Sequence, residues 1–104
     1  MHFKPPRRPP LDYAGAEAIA AEAMAFLTAD EARLARFLGE TGMQPHELAA
    51  SLADGGAGVL SACLDHIAGD ESLLLVFAGE LRRKPEEIMI AQALLQGPAP
   101  KTSM

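Results

Sequence analysis

Apolar residues recur along this chain at helical spacing in six stretches, each bounded by an acidic cap, a proline or a glycine. In the first stretch Ile19, Ala23, Phe26 and Leu27 share one face, and Asp12 can accept from the first free backbone N–H groups. This predicts a helix from about Tyr13 to Thr28. A second opens after Asp30, with Leu34, Phe37 and Leu38 inward and Arg33 and Arg36 outward. Gly42 can close it in the left-handed conformation that a side chain disfavours. The third starts at Pro45, a favoured first helical residue, and points Leu48 and Leu52 inward. It ends by Asp54, before the breaker Gly55-Gly56-Ala57-Gly58. A fourth helix over about Val59–Ala68 turns Leu60, Cys63, Leu64 and Ile67 to the core, and Gly69 ends it. The sixth runs from Pro85 to about Leu95, before Gly97-Pro98, with Ile88, Met89, Ala91 and Leu95 on its apolar side.

The fifth stretch, Asp70 to Leu81, breaks the pattern. Asp70 caps and Glu71 favours the positive end of the helix dipole, but Leu73 to Ala78 is an unbroken apolar run. Only Val76 in that run is β-branched, and Leu and Ala favour a helix over a strand. A helix apolar nearly all round must be wrapped by its neighbours, so this stretch is expected at the centre of the fold.

The chain also resembles itself at a shift of 40 residues, from Asp30 to Asp70. Glu31 then matches Glu71, Leu34 matches Leu74, Phe37 matches Phe77, and Gly39-Glu40 matches Gly79-Glu80. Pro45 falls on Pro85, Glu47 on Glu87, Leu48 on Ile88 and Leu27 on Ile67, without a gap. Caps, core positions and helix-starting prolines coincide, which predicts two three-helix units over about 16–53 and 57–95. The expected fold is all-α, a compact six-helix bundle of two repeats about a pseudo-two-fold axis. Leu73 and Val76 replace Arg33 and Arg36 in the second unit, so that unit sits deeper or meets a partner.

Composition sharpens this picture. A chain of 104 residues with 49% apolar content forms one domain, here over residues 12–97. Trp is absent and aromatics are 5%, which leaves the packing to Leu, Ala, Ile and Met. Residues 1–10 read Met-His-Phe-Lys-Pro-Pro-Arg-Arg-Pro-Pro, where proline fixes φ and removes donors; a flexible leader is expected over 1–11, and a flexible tail over 98–104. The first ten residues carry +3 and the remainder sets six basic against 14 acidic residues, or −8. An acidic body argues against a nucleic-acid partner. No stretch is apolar enough for a signal peptide or a membrane span, so a cytoplasmic protein is expected.

Candidate chemistry is sparse. Cys63 and His66 stand at i, i+3, a spacing that could pair them or hold a metal, but no second ligand cluster accompanies them. Cys63 is expected in the core, and His66 at the surface near a helix end. Asp70-Glu71 and Glu86-Glu87 are adjacent carboxylates that diverge by about 100° on a helix, and both pairs sit where capping explains them. No phosphate-binding loop, nucleophile elbow or dinucleotide fingerprint occurs, and no catalytic residue, metal site or cofactor is assigned. The basic groups Arg7 and Arg8 in the leader and Arg82-Arg83-Lys84 after the fifth helix are the possible partner contacts.

The blocks Ala21-Glu22-Ala23-Met24-Ala25-Phe26-Leu27, Arg33-Leu34-Ala35-Arg36-Phe37-Leu38 and Asp70-Glu71-Ser72-Leu73-Leu74-Leu75-Val76-Phe77 resemble a family of small uncharacterised bacterial proteins catalogued as a domain of unknown function. The resemblance covers about residues 16–95. It implies a helical cytoplasmic protein and supplies no activity. The expected function is a non-enzymatic interaction or adaptor module for an unknown protein partner, with a monomer favoured over a homodimer. The alternative is a small regulatory protein with an apolar ligand pocket rich in Met24, Met43 and Met89.

Overall fold

Five of the six helices among the described residues begin where their first N–H groups find a side-chain acceptor or where proline removes one. The computed structural model describes residues 11–97. It contains α1 (Tyr13–Thr28), α2 (Glu31–Thr41), α3 (Pro45–Ala53), α4 (Ala57–Ala68), α5 (Glu71–Leu81) and α6 (Pro85–Gln96). No strand occurs among the described residues. Asp12 Oδ1 accepts from Gly15 N at 2.7 Å, Asp30 Oδ1 from Ala32 N at 2.9 Å and Asp70 Oδ1 from Leu73 N at 3.1 Å. These are the three expected caps, each of which typically stabilises its helix by about 1 kcal/mol. Pro45 and Pro85 open α3 and α6, where a missing N–H costs nothing. Gly42 closes α2 at φ 72°, and Arg82 closes α5 at φ 55°, left-handed despite its side chain. The leader and tail expectations, Arg7 and Arg8 included, lie outside the described residues.

α1 lies at the centre of the packing. It buries Ala16, Ile19, Ala20, Ala23, Phe26 and Leu27, and packs most extensively against α4 and α6. Three of those six are alanines, which let neighbouring backbones approach closely. Val59, Cys63, Leu64 and Ile67 of α4 and Ile88 and Ala91 of α6 complete this part of the core. α5 adds Leu74, Phe77 and Ala78, and the Phe77 ring stands 5.2 Å from that of Phe26. α2 buries only Phe37, and α3 buries no residue.

The structure corrects the expectation that α5 is the wrapped centre. Leu75 and Val76 are 53% and 48% exposed. At 100° per residue an apolar run faces every direction, but the elements packed extensively on α5 are α4 and α6, and they reach one side. Leu52 and Met89 are also exposed, not inward, and Leu60 is only half-buried. Leu60 still packs against the core from the edge of its helix stripe. Arg33 is half-buried instead of outward, because its guanidinium lies 4.0 Å over the Phe26 ring.

Helix contacts are similar but unequal in the two halves. α1 meets α2 as α4 meets α5, and α1 meets α6 as α4 meets α3. The α4–α6 and α5–α6 contacts have no α1–α3 or α2–α3 counterpart of similar extent. α6 is therefore held on three sides, whereas α3 rests on α4.

Candidate functional site

The last turn of α4 and the start of α5 face the middle of α2 across an open polar groove of about 580 Å³, lined by Arg36, Glu40, Asp65, His66, Asp70 and their neighbours. Asp70 serves twice. Its Oδ1 caps α5, and its Oδ2 lies 3.2 Å from Arg36 Nη2. Arg36 Nε donates to Glu40 Oε1 at 3.2 Å, and Glu40 Oε2 lies 3.0 Å from His66 Nδ1. The run Asp70–Arg36–Glu40–His66 thus links α5, α2 and α4. The two pairs made by Arg36 are solvated, with its side chain 62% exposed, and an exposed ion pair contributes about 0–1 kcal/mol. Asp65 Oδ1 accepts from Gln92 Nε2 at 3.1 Å and ties α4 to α6.

His66 departs from its expected surface position. Its side chain is 6% exposed, and its ring stands edge-on to Phe37 at 5.3 Å between centroids. Nε2 is buried with no hydrogen-bond partner, a condition that costs about 1–3 kcal/mol for a polar atom. Sequence reasoning missed this because His66 lies between the core stripe and the acidic outer face, and α2 covers that edge only in the folded chain. Its position next to Ile67 was the available signal.

A second, smaller cavity of about 170 Å³ lies beside the groove, lined by Ala32, Arg33, Arg36, His66 and Leu73. Arg33 stacks on Phe26, and its Nη1 is 3.5 Å from the Phe26 carbonyl oxygen. Among the described residues no carboxylate pairs with Arg33, in contrast to Arg36.

On the other helices, the predicted contact residues Arg82, Arg83 and Lys84 form the α5–α6 connection. Arg82 and Lys84 are exposed, but Arg83 is half-buried and its Nη1 donates to Glu87 Oε2 at 2.8 Å. On the two helices that it joins, Leu75, Val76, Met89 and Ile90 are 53%, 48%, 44% and 50% exposed. Ile90 was not anticipated. The run Ile88-Met89-Ile90-Ala91 spans more than one helix face, which was its sequence signal.

Other sequence candidates remain apart. Cys63 is buried in the core, as expected, and burial pushes its thiol up to about 11, which favours the protonated form at neutral pH. Among the described residues no group of three or more His, Cys, Asp or Glu side chains could hold a metal ion. Glu71, Glu86 and Glu87 sit in first helical turns, as their capping explanation requires. Met24 and Met43 are half-buried and Met89 is exposed. Met43 lines a shallow groove of about 320 Å³ between α3 and α4 that the other two methionines do not share. Among the described residues no helix is long and apolar enough to cross a membrane.

Comparison with curated proteins and with solved structures gives no match. The chain does match the model of DUF3572, a family described as protein of unknown function, over residues 13–98, from the first turn of α1 to just past α6, and it belongs to that family.

Proposed function

We propose that the protein is a non-enzymatic interaction module that takes up a protein partner on α5 and α6. The observation that supports this reading is the half-exposure of Leu75, Val76, Met89 and Ile90 on two helices in contact with each other. Large apolar side chains gathered on neighbouring helices are what an interface core requires. Arg82 and Lys84, exposed at the connection of the same helices, suit a partner that sets carboxylates beside its apolar anchors. The chain itself acts as a monomer and the partner is a different protein.

The proposal extends to the origin of the fold as two duplicated three-helix units. Asp30 and Asp70 cap, Pro45 and Pro85 open helices, and Gly42 and Arg82 are both left-handed, all at the same offset. In this reading α5 and α6 are the half that diverged, gaining apolar surface where α2 keeps arginines.

The double variant Val76→Glu, Ile90→Glu tests the interface. Both positions are exposed, so stability should change by about 1 kcal/mol or less. Affinity capture with the tagged full chain should recover a defined protein that the folded variant loses. A variant that retains the same protein would refute the reading. Light scattering that shows a wild-type dimer, converted to a monomer by the two substitutions, would instead make the partner a second copy.

A further inference from the structure

Among the described residues, α4 is the one helix that opens with neither a side-chain acceptor nor a proline. It follows α3 through a tight turn. Gly56 N donates to the Ser51 carbonyl oxygen at 2.8 Å, and Gly55 and Gly56 stand at φ 98° and 72°. Two successive residues at positive φ bring α3 back onto α4, and glycine adopts them without a Cβ clash. A Cβ on Gly56 would also meet Leu52 Cδ2 at 3.4 Å.

Much of the packing runs across this turn. α1 packs on α4 and α6, and α3 packs on α4. Phe26 meets Phe77, Phe37 meets His66, and Arg36 meets Asp70. On the near side α1 meets α2, but α3 meets neither of them to a similar extent. Helices α1–α3 thus complete their core with α4–α6. Each contact across the turn is made equally well by the same residues of a second copy.

We propose that the Gly55–Gly56 turn is a hinge that keeps the chain monomeric, and that straightening it lets α1–α3 dock on α4–α6 of a second copy in a reciprocal exchange. The exchanged dimer repeats every contact across the turn and differs only at the hinge. There α3 and α4 run on as one helix. The first amides of α4, which no side chain caps, then bond to carbonyls one turn back. With the turn in place, the two halves of one chain face each other at a roughly millimolar effective concentration, which favours the monomer. The exchange uses buried residues and not the exposed surface of α5 and α6, so either reading can fail without the other.

The test is the full chain with Gly55→Ala and Gly56→Ala, carrying Val76→Glu and Ile90→Glu so that the α5–α6 face cannot itself pair. Alanine disfavours positive φ and favours a continuous helix. Two hinge substitutions act in each copy of a dimer, which should shift the equilibrium on the order of a thousandfold toward dimer. Light scattering should show a dimer where the Val76→Glu, Ile90→Glu parent is a monomer, with helix content by circular dichroism undiminished. The dimer is then refolded from an equimolar mixture of unlabelled chains and chains with ring-labelled histidine. Filtered NOEs should connect His66 of one copy to Phe37 of the other, since these rings stand 5.3 Å apart. A folded monomer would overturn the proposal, and so would a dimer without that intermolecular NOE. If the variant fails to fold, the wild-type chain decides. Held near its unfolding midpoint at about 1 mM, comparable to the effective concentration of the joined halves, and then cooled, it should yield a dimer that persists on dilution. Recovery of monomer alone would overturn the proposal.

Discussion

Phe37 and Phe77 stand 40 residues apart in the sequence, and burial treats them alike at 1% and 0% exposure. The sequence ranks Phe37 lower, since α2 keeps a solvent face. That ranking mixes the exposure of a helix with the exposure of one residue on it. Phe37 is α2's one buried side chain, packed edge-on to His66, while Phe77 packs on Phe26. Truncating a buried Phe typically costs ~3–5 kcal/mol, against the ~5–15 kcal/mol that holds a domain of this kind together. Phe37→Ala and Phe77→Ala should both fall in that range by urea denaturation. A loss below about 1 kcal/mol for either would show that its site collapses or fills without penalty. His66 was harder to read from sequence. Its neighbours in the chain are an aspartate and an isoleucine, and Phe37 and Glu40, which enclose it, are more than 25 residues away.

Helix boundaries were legible because the forces that set them act within one turn. Asp12, Asp30 and Asp70 bond to N–H groups two or three residues on, and Pro45 and Pro85 need no partner at all. Arg82 is the exception within an otherwise local rule. It adopts φ 55° at the place where α2 has Gly42 at φ 72°. A left-handed L-residue with a Cβ is strained by roughly 1–2 kcal/mol, which glycine avoids. Arg82→Gly should therefore stabilise the protein by about 1 kcal/mol, after the entropy that glycine gains in the unfolded chain is set against it. Gly42→Ala should destabilise by a similar amount. Both are read as shifts of the urea midpoint at unchanged slope, and a lower midpoint for Arg82→Gly would mean that the arginine side chain outweighs its backbone strain. The apolar faces were less legible than the ends. In α5 the run Leu73–Ala78 names six candidates for the core, and only Leu74, Phe77 and Ala78 are buried.

Across the whole molecule the helices are not equally anchored. α1 contacts α2, α4 and α6 and contributes six buried residues, whereas α3 rests on α4 and buries none. Amide hydrogen exchange should follow this order, with α1 and α4 opening only in global unfolding and α3 exchanging first by local opening. Equal protection of α3 and α1 would contradict the packing. The expected centre of the fold, α5, is thus displaced by α1, whose alanine-rich face looked less apolar in sequence yet lets two helices approach closely. Sequence alone determined the all-α class, six helices, their caps and the family resemblance, since composition, spacing and capping are local properties that survive without knowledge of the neighbours. Only the tertiary structure decided which apolar faces are covered, that Leu75, Val76, Met89 and Ile90 remain in solvent, and that Arg33 and His66 share a cavity. Burial depends on which surfaces meet between residues far apart in the sequence, and no periodicity within one helix records its partner.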